Sequence, residues 1–287
     1  MTKLSNWGRW GAEDQRGTLN LLTPEVVARA TGLVKKGKVY SLGMPVDKAG
    51  PITINRNPTW HLATSRVRPD EGRHGTADDI LVTYTHAGTH IDALCHAWYG
   101  DQLYNGHSYE SITPQGSEKN AITNAPWIAA RGVLLDIARY RKVERLSPSD
   151  SIDSAELEAC AKAQGVKLQA GDFVLVRTGW LGLFPRDSKT YHTSEPGLGP
   201  DCAHWFAKHD LCGVGADNWA VEIYPSKEKD DMLRVHYEVI RDLGGYLIEN
   251  VYLDDLARDN VQEFLFVVAP LKISKGLGSP VNPLAMV

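Results

Sequence analysis

The run Asp153-Ser-Ala-Glu-Leu-Glu-Ala-Cys-Ala-Lys-Ala-Gln-Gly165, followed six residues later by Asp172-Phe-Val-Leu-Val-Arg177, carries the fold class in miniature. Asp153 is a helix-capping residue, helix formers follow it, and a glycine ends them, so the first part predicts a helix. The second part is a short β-branched and aromatic run, which predicts a strand. Working outward, the same alternation recurs. Gly132-Val-Leu-Leu-Asp-Ile137 lies before it, and Gly213-Val-Gly-Ala216, Tyr246-Leu-Ile-Glu-Asn-Val251 and Glu263-Phe-Leu-Phe-Val-Val268 lie after it. Further helices are predicted from Thr23-Pro24-Glu25 to near Gly37, over Pro200 to His209, and over Arg234 to Leu243. Strands interleaved with helices, without a repeat or an obvious linker, predict one α/β domain over residues 1–287.

Composition narrows the class of function. The 287 residues are 43% hydrophobic and 23% charged, ordinary for a globular chain. A net charge of −4 without a basic run beyond Lys35-Lys36-Gly-Lys38 argues against nucleic acid and for a small-molecule partner. The first residues lack the pattern of a secretory signal, and no apolar run reaches bilayer length, so a cytoplasmic protein without a membrane span is expected. The four cysteines, Cys95, Cys160, Cys202 and Cys212, form no Cys-x-x-Cys pair and read as reduced, buried thiols.

The densest chemistry is His86-Ala-Gly-Thr-His90-Ile-Asp92-Ala-Leu-Cys-His96, three imidazoles and a carboxylate in eleven residues. The strand predicted over Ile80-Leu-Val-Thr-Tyr-Thr85 leads into it. On an extended chain His90 and Asp92 share a face. On a straight strand His86 would stand roughly 13 Å from His90, too far to share an ion comfortably with bonds of about 2 Å. Gly88 is therefore the predicted bend that makes His86, His90 and Asp92 converge. This nitrogen-and-oxygen set suits Zn2+ or Mn2+ with positions left open for water and substrate. His96 is expected nearby as general acid/base, taking a proton from the attacking metal-bound water and returning it to the leaving group. Histidines that merely satisfy one another in a loop are the alternative, as is a metal- or ligand-binding module that does no chemistry. A zincin helix is excluded because Ala87 stands where it needs glutamate. Gly106-His-Ser-Tyr-Glu110 fails as a serine-hydrolase elbow, and Gly213-Val-Gly-Ala-Asp-Asn218 fails as a dinucleotide loop.

The pattern His86-x-Gly-Thr-His90-x-Asp92-x-x-x-His96 resembles the signature of the cyclase family, which includes bacterial kynurenine formamidase and isatin hydrolase; Leu94 stands where members usually carry a proline. Val176-Arg-Thr-Gly-Trp180, Gly213-Val-Gly-Ala-Asp217, His236-Tyr-Glu-Val-Ile240 and Leu247-Ile-Glu249-Asn-Val251 are similar to later family segments. The resemblance implies a swivelling β/β/α fold with a mixed sheet and flanking helices, assembled as a homodimer or homotetramer. It implies a first ion on His86, His90 and Asp92, and a second shared by Asp92 with His236 and Glu249. One or two ions of Mn2+ or Zn2+ per chain fit it, and for His236 and Glu249 a merely solvated role is the other reading. The implied activity is hydrolysis of a cyclic amide or lactam of the isatin kind, or deformylation of an N-formyl arylamine such as N-formylkynurenine.

Other residues have two readings each. Residues Val46 to Asp79 read as a long functional loop or lid, because structureless stretches of that length are otherwise uncommon. Trp60 either covers a planar substrate there or anchors the loop. Trp98 and Tyr99, just past His96, line the pocket or pack in the core. Asp217 either orients a ligand histidine or caps a strand end.

Overall fold

The computed structural model describes residues 4–48, 50, 51, 56, 59–68, 74–226 and 232–287. Its α/β architecture is organised by one mixed sheet of nine strands. In chain order these are β1 (Val39–Ser41), β4 (His90–Asp92), β5 (Ile128–Asp136), β6 (Phe173–Arg177), β7 (Gly213–Ala216), β8 (Tyr246–Glu249), β9 (Glu263–Val268), β10 (Gly278–Pro280) and β11 (Leu284–Met286); β2 (Trp60–Arg68) and β3 (His74–Val82) form a separate pair. Across the sheet the order is β1-β11-β9-β5-β6-β7-β8-β4-β10. The centre, β5 to β8, is parallel, and the flanking pairs are antiparallel.

The central strands are the apolar runs that the sequence singles out, and burial on both faces explains why they do not alternate in polarity. Two glycines make room for aromatic rings on the next strand: a Cβ at Gly132 or Gly213 would lie 2.1 Å from the ring of Phe264 or Phe173, each directly across the ladder. Phe173 and Phe266 then meet at 4.8 Å between centroids. Helices α1 (Pro24–Thr31), α2 (Ser154–Ala163) and α3 (Cys202–Lys208) flank the sheet. Thr23 caps α1 and Asp153 caps α2 by accepting from Val26 N and Glu156 N. Helix α1 stops at Thr31 rather than near Gly37: Gly32 forms its C-cap, and the chain beyond turns back toward the sheet.

Two expectations change. Instead of a structureless loop, β2 and β3 pair over nine residues, from Trp60 opposite Val82 to Arg68 opposite His74. Polar and apolar residues are so mixed in both strands that neither shows a clean period of two, which hid the hairpin. The remaining loop positions 49, 52–55, 57, 58 and 69–73 lie outside the described residues. The strand predicted at Ile80 to Thr85 is consequently the end of this hairpin, stopping at Val82. The second change is the helix at Arg234 to Leu243, which begins as one α-turn at Arg234–His236 and widens into a π-helix over Tyr237–Asp242. Such widened turns are frequent at functional sites.

All four cysteines are free and buried. Burial pushes the Cys95 and Cys160 thiols up to about 12, so they are inert at neutral pH. No helix among the described residues is long and apolar enough to cross a membrane.

Candidate metal centre

The site lies at the carboxyl end of β8, where ligands of open α/β sheets gather. Glu249 is the last residue of β8, and the antiparallel β4 places His90 directly opposite it. The pleat then sends His90 and Asp92 to one face and the fully buried Ile91 into the core. Gly88 takes φ +60°, the left-handed turn expected of it. Its carbonyl meets His90 Nδ1 at 2.9 Å and accepts from Asn250 Nδ2 at 3.1 Å. That contact leaves His90 Nε2 to face the acids.

Asp92 is the hub. Its Oδ1 lies 3.5 Å from His86 Nε2, 3.7 Å from His90 Nε2 and 3.9 Å from His96 Nε2, while Oδ2 lies 3.8 Å from His236 Nε2. Glu249 bridges the other side, 3.1 Å from both His90 Nε2 and His236 Nε2. Two groups have the compactness of an ion site, His86 with Asp92 and His96, and Asp92 with His236 and Glu249. The structure thus brings together all six residues named from the signature and the two distant segments. It also sets His96 as near to Asp92 as His236 is. His96 differs in access: 26% of its side chain is exposed, against 9% for His86 and 1% for His90.

The donor set fits a divalent cation. Two ligands held about 2.1 Å from one ion stand roughly 3 to 3.5 Å apart in a tetrahedral site, close to the spacings around Asp92. Both Asp92 oxygens and His86 Nε2 are buried and make no hydrogen bond. Such orphaned groups are costly unless an ion or water meets them. Charge agrees: three buried carboxylates, Asp92, Glu222 and Glu249, crowd three buried imidazoles, His86, His90 and His236. Burial alone favours neutral rings, but the Glu249 charge and hydrogen bond raise His90, and hydrogen bonds to Glu222 and Glu249 raise His236 well above the ordinary range. Burial likewise works against ionising Glu249, yet the His90 charge and the bond from His236 hold its carboxyl low. His86 is pushed far down by burial and by the neighbouring His96, His90 and Arg56, and His96 is lowered chiefly by burial. The environment therefore calls for positive charge between Asp92 and Glu249, which a metal would supply.

Glu222 was missed by the sequence reading. It accepts from His236 Nδ1 at 2.6 Å and from the backbone N–H groups of Val235 and His236 at 3.0 and 2.9 Å. A carboxylate in this position would fix the tautomer of His236 for an ion at Nε2, and an acid amid Ala220-Val221 and Ile223 was its signal. Asp217 does not do this. Its oxygens accept from Thr178 N and Oγ1 and from Gly179 N, 2.6 to 2.7 Å away, so it ties the end of β6 to the end of β7. Desolvation raises its pKa to about 6 despite those bonds.

A cavity of about 320 Å3 opens onto the cluster, with Arg56, His96, Trp98, Trp219, His236 and Glu249 in its walls. Trp98 is in it, as one of its two readings required. Tyr99 is turned away, donating to both oxygens of Asp242 under the Arg241 guanidinium. Trp60 sits at the start of the hairpin, 54% exposed and outside the walls of this cavity.

Known proteins share this fold. The isatin hydrolase of Roseibium aggregatum is 24% identical over 212 residues, which span 72% of this chain and 73% of that protein. A crystal structure described as a novel cyclase superposes with a TM-score of 0.91 at 35% identity, covering 99% of this chain and all (100%) of the other. An isatin hydrolase bound to the product analogue thioisatinate superposes at 0.66 with 20% identity, covering 90% and 94% of the two chains. A structure described as a predicted metal-dependent hydrolase from Bacillus stearothermophilus does so at 0.59 with 20% identity, covering 88% and 98%. The Cyclase family model matches residues 40–223, the stretch that holds β4 and its histidines, and the chain is a member of that family.

Proposed function

We propose that this protein is a metal-dependent hydrolase of amide carbonyls that opens a cyclic amide or lactam attached to an aromatic ring. The observation that carries the reading is Asp92, buried with both oxygens unsatisfied between His86 and His90 on one side and His236 on the other. The name of the isatin hydrolase relative supports the bond type, and the indole walls of Trp98 and Trp219 suit a planar substrate.

In this reading His86, His90 and Asp92 hold one ion of Mn2+ or Zn2+, and Asp92, His236 and Glu249 hold a second. Bound there, the metal supplies Lewis acidity, polarising the carbonyl and acidifying a water. Glu222 keeps His236 Nδ1 protonated so that Nε2 faces the donor group. His96, the histidine most open to the cavity, takes the proton of the attacking water and returns it to the leaving nitrogen. Trp98 and Trp219 exclude water around the ring.

The test is elemental analysis of purified protein coupled to turnover of isatin, with N-formylkynurenine as the competing substrate class. Retained Mn2+ or Zn2+ and chelator-sensitive ring opening are expected. Faster deformylation than ring opening would replace the lactam by an N-formyl arylamine, and a protein that binds neither metal would overturn the reading.

A further inference from the structure

Arg56 is a cation in a wall whose other charges are already committed. Its Nη1 donates to the carbonyl of His86 at 2.8 Å, which pins the guanidinium beside the first histidine of the cluster. A guanidinium carries five N–H donors, and a carboxylate needs two of them side by side, so that bond and a bidentate anion are compatible. The only carboxylate in the cavity wall among the described residues is Glu249, and it is engaged by His90 and His236 at 3.1 Å each.

The same cavity has aromatic walls. Trp219 is fixed at both ends, its indole N–H donating to the Tyr191 carbonyl at 2.9 Å and its backbone N–H to Glu195 Oε2 at 2.7 Å. Trp98 lies nearly parallel to Tyr109, 11° between planes and 6.2 Å between centroids. A slot with aromatic walls and a cation that meets no carboxylate among the described residues selects planar molecules that carry an anion.

We propose that Arg56 is a specificity-determining residue that binds a carboxylate on the substrate, which makes the substrate an aromatic amide bearing a carboxylate separate from the scissile carbonyl. The proposal deepens the hydrolase reading and rests on it for the reaction, but not for the binding. Hydrolysis then consumes one water, breaks the C–N bond, and leaves the Arg56-bound carboxylate untouched.

The test uses two probes of the same shape that cannot be hydrolysed as anilides, 2-aminobenzoate and its neutral amide 2-aminobenzamide. Binding to the metal-loaded protein is measured by calorimetry. The anion is expected to bind at least tenfold more tightly than the amide. In Arg56→Gln that preference disappears with the amide's affinity unchanged, and Arg56→Lys recovers part of it. Equal affinity for the two probes, or no binding of either, overturns the proposal. A preference that survives Arg56→Gln also overturns it, because the carboxylate is then held by the metal. So does an equal loss for both probes, which would make Arg56 a brace for the His86 carbonyl alone. None of these outcomes depends on turnover, so the hydrolase reading stands or falls separately on isatin and N-formylkynurenine.

Discussion

Gly278 backs onto His86, and replacing it with alanine should dismiss that histidine from the metal site. A Cβ at Gly278 would lie 2.5 Å from His86 Nε2, 2.9 Å from Cε1 and 2.9 Å from the Ile91 carbonyl oxygen. Non-bonded heavy atoms settle near 3.5 Å, so the ring must retreat by roughly 1 Å. The backbone does not yield instead, because β10 is paired with β4 at Ser279 opposite Ile91. Metal bonds tolerate displacements of only about 0.2 Å, so His86 is lost as a ligand. Even disturbing an outer partner of a ligand costs about 10- to 100-fold in metal affinity. Loss of the ligand should therefore reach at least ~100-fold, about 2.8 kcal/mol. Competition against a chromophoric chelator measures the Mn2+ or Zn2+ affinity, and near-UV circular dichroism checks the fold. In a His86→Ala background the added Gly278→Ala should leave metal affinity unchanged, since only the contact with the Ile91 carbonyl remains and that group is not a ligand. A Gly278→Ala protein with native dichroism and metal affinity within threefold of the parent would refute the reasoning.

His96→Ala should leave metal affinity within about tenfold while turnover falls by roughly 10²- to 10⁴-fold; an affinity loss as deep as that of His86→Ala would make His96 a ligand instead of the proton carrier. Glu222→Gln, which weakens the anchor of His236, should lower metal affinity by about 10- to 100-fold in calorimetric titration, and an unchanged affinity would remove Glu222 from the site. Asp217 is raised from an ordinary 3.8 to about 6 in the folded protein. The unfolded chain therefore releases that proton first, and stability declines as pH rises between about 4 and 6, by up to about 3 kcal/mol. Urea unfolding of Asp217→Asn should lack that slope, so a wild-type-minus-variant difference that stays constant over this range contradicts it. Added metal at 100 times its Kd should stabilise the protein by about 2.7 kcal/mol, seen as a chelator-reversible rise in Tm.

The central strands of the sheet were legible because buried strands advertise themselves as apolar runs, and β5, β6, β7, β8 and β9 all carry such runs. The bend at Gly88 was legible because two histidines four apart cannot converge on a straight strand. The hairpin was not: Trp60–Arg68 and His74–Val82 are exposed wherever their side chains are described, so no burial imposes a period on them. Glu222 and Arg56 were missed for a related reason. Each acts through a contact distant in sequence, with His236 and with the His86 carbonyl, and local spacing carries no trace of it. Asp217 misled because a buried acid after a strand serves a tie between strand ends as well as it serves a histidine.

Strand β4 is three residues long and has no local partner: β8 on one side begins at Tyr246, and β10 on the other begins at Gly278. The histidines and aspartate of the signature therefore precede in the chain both strands that flank them, and β4 is paired on its two sides only once the segment through Pro280 has left the exit tunnel. An ion held there would be captured late in biosynthesis, and a nascent chain stalled before β10 would carry the whole signature with only β8 to align it.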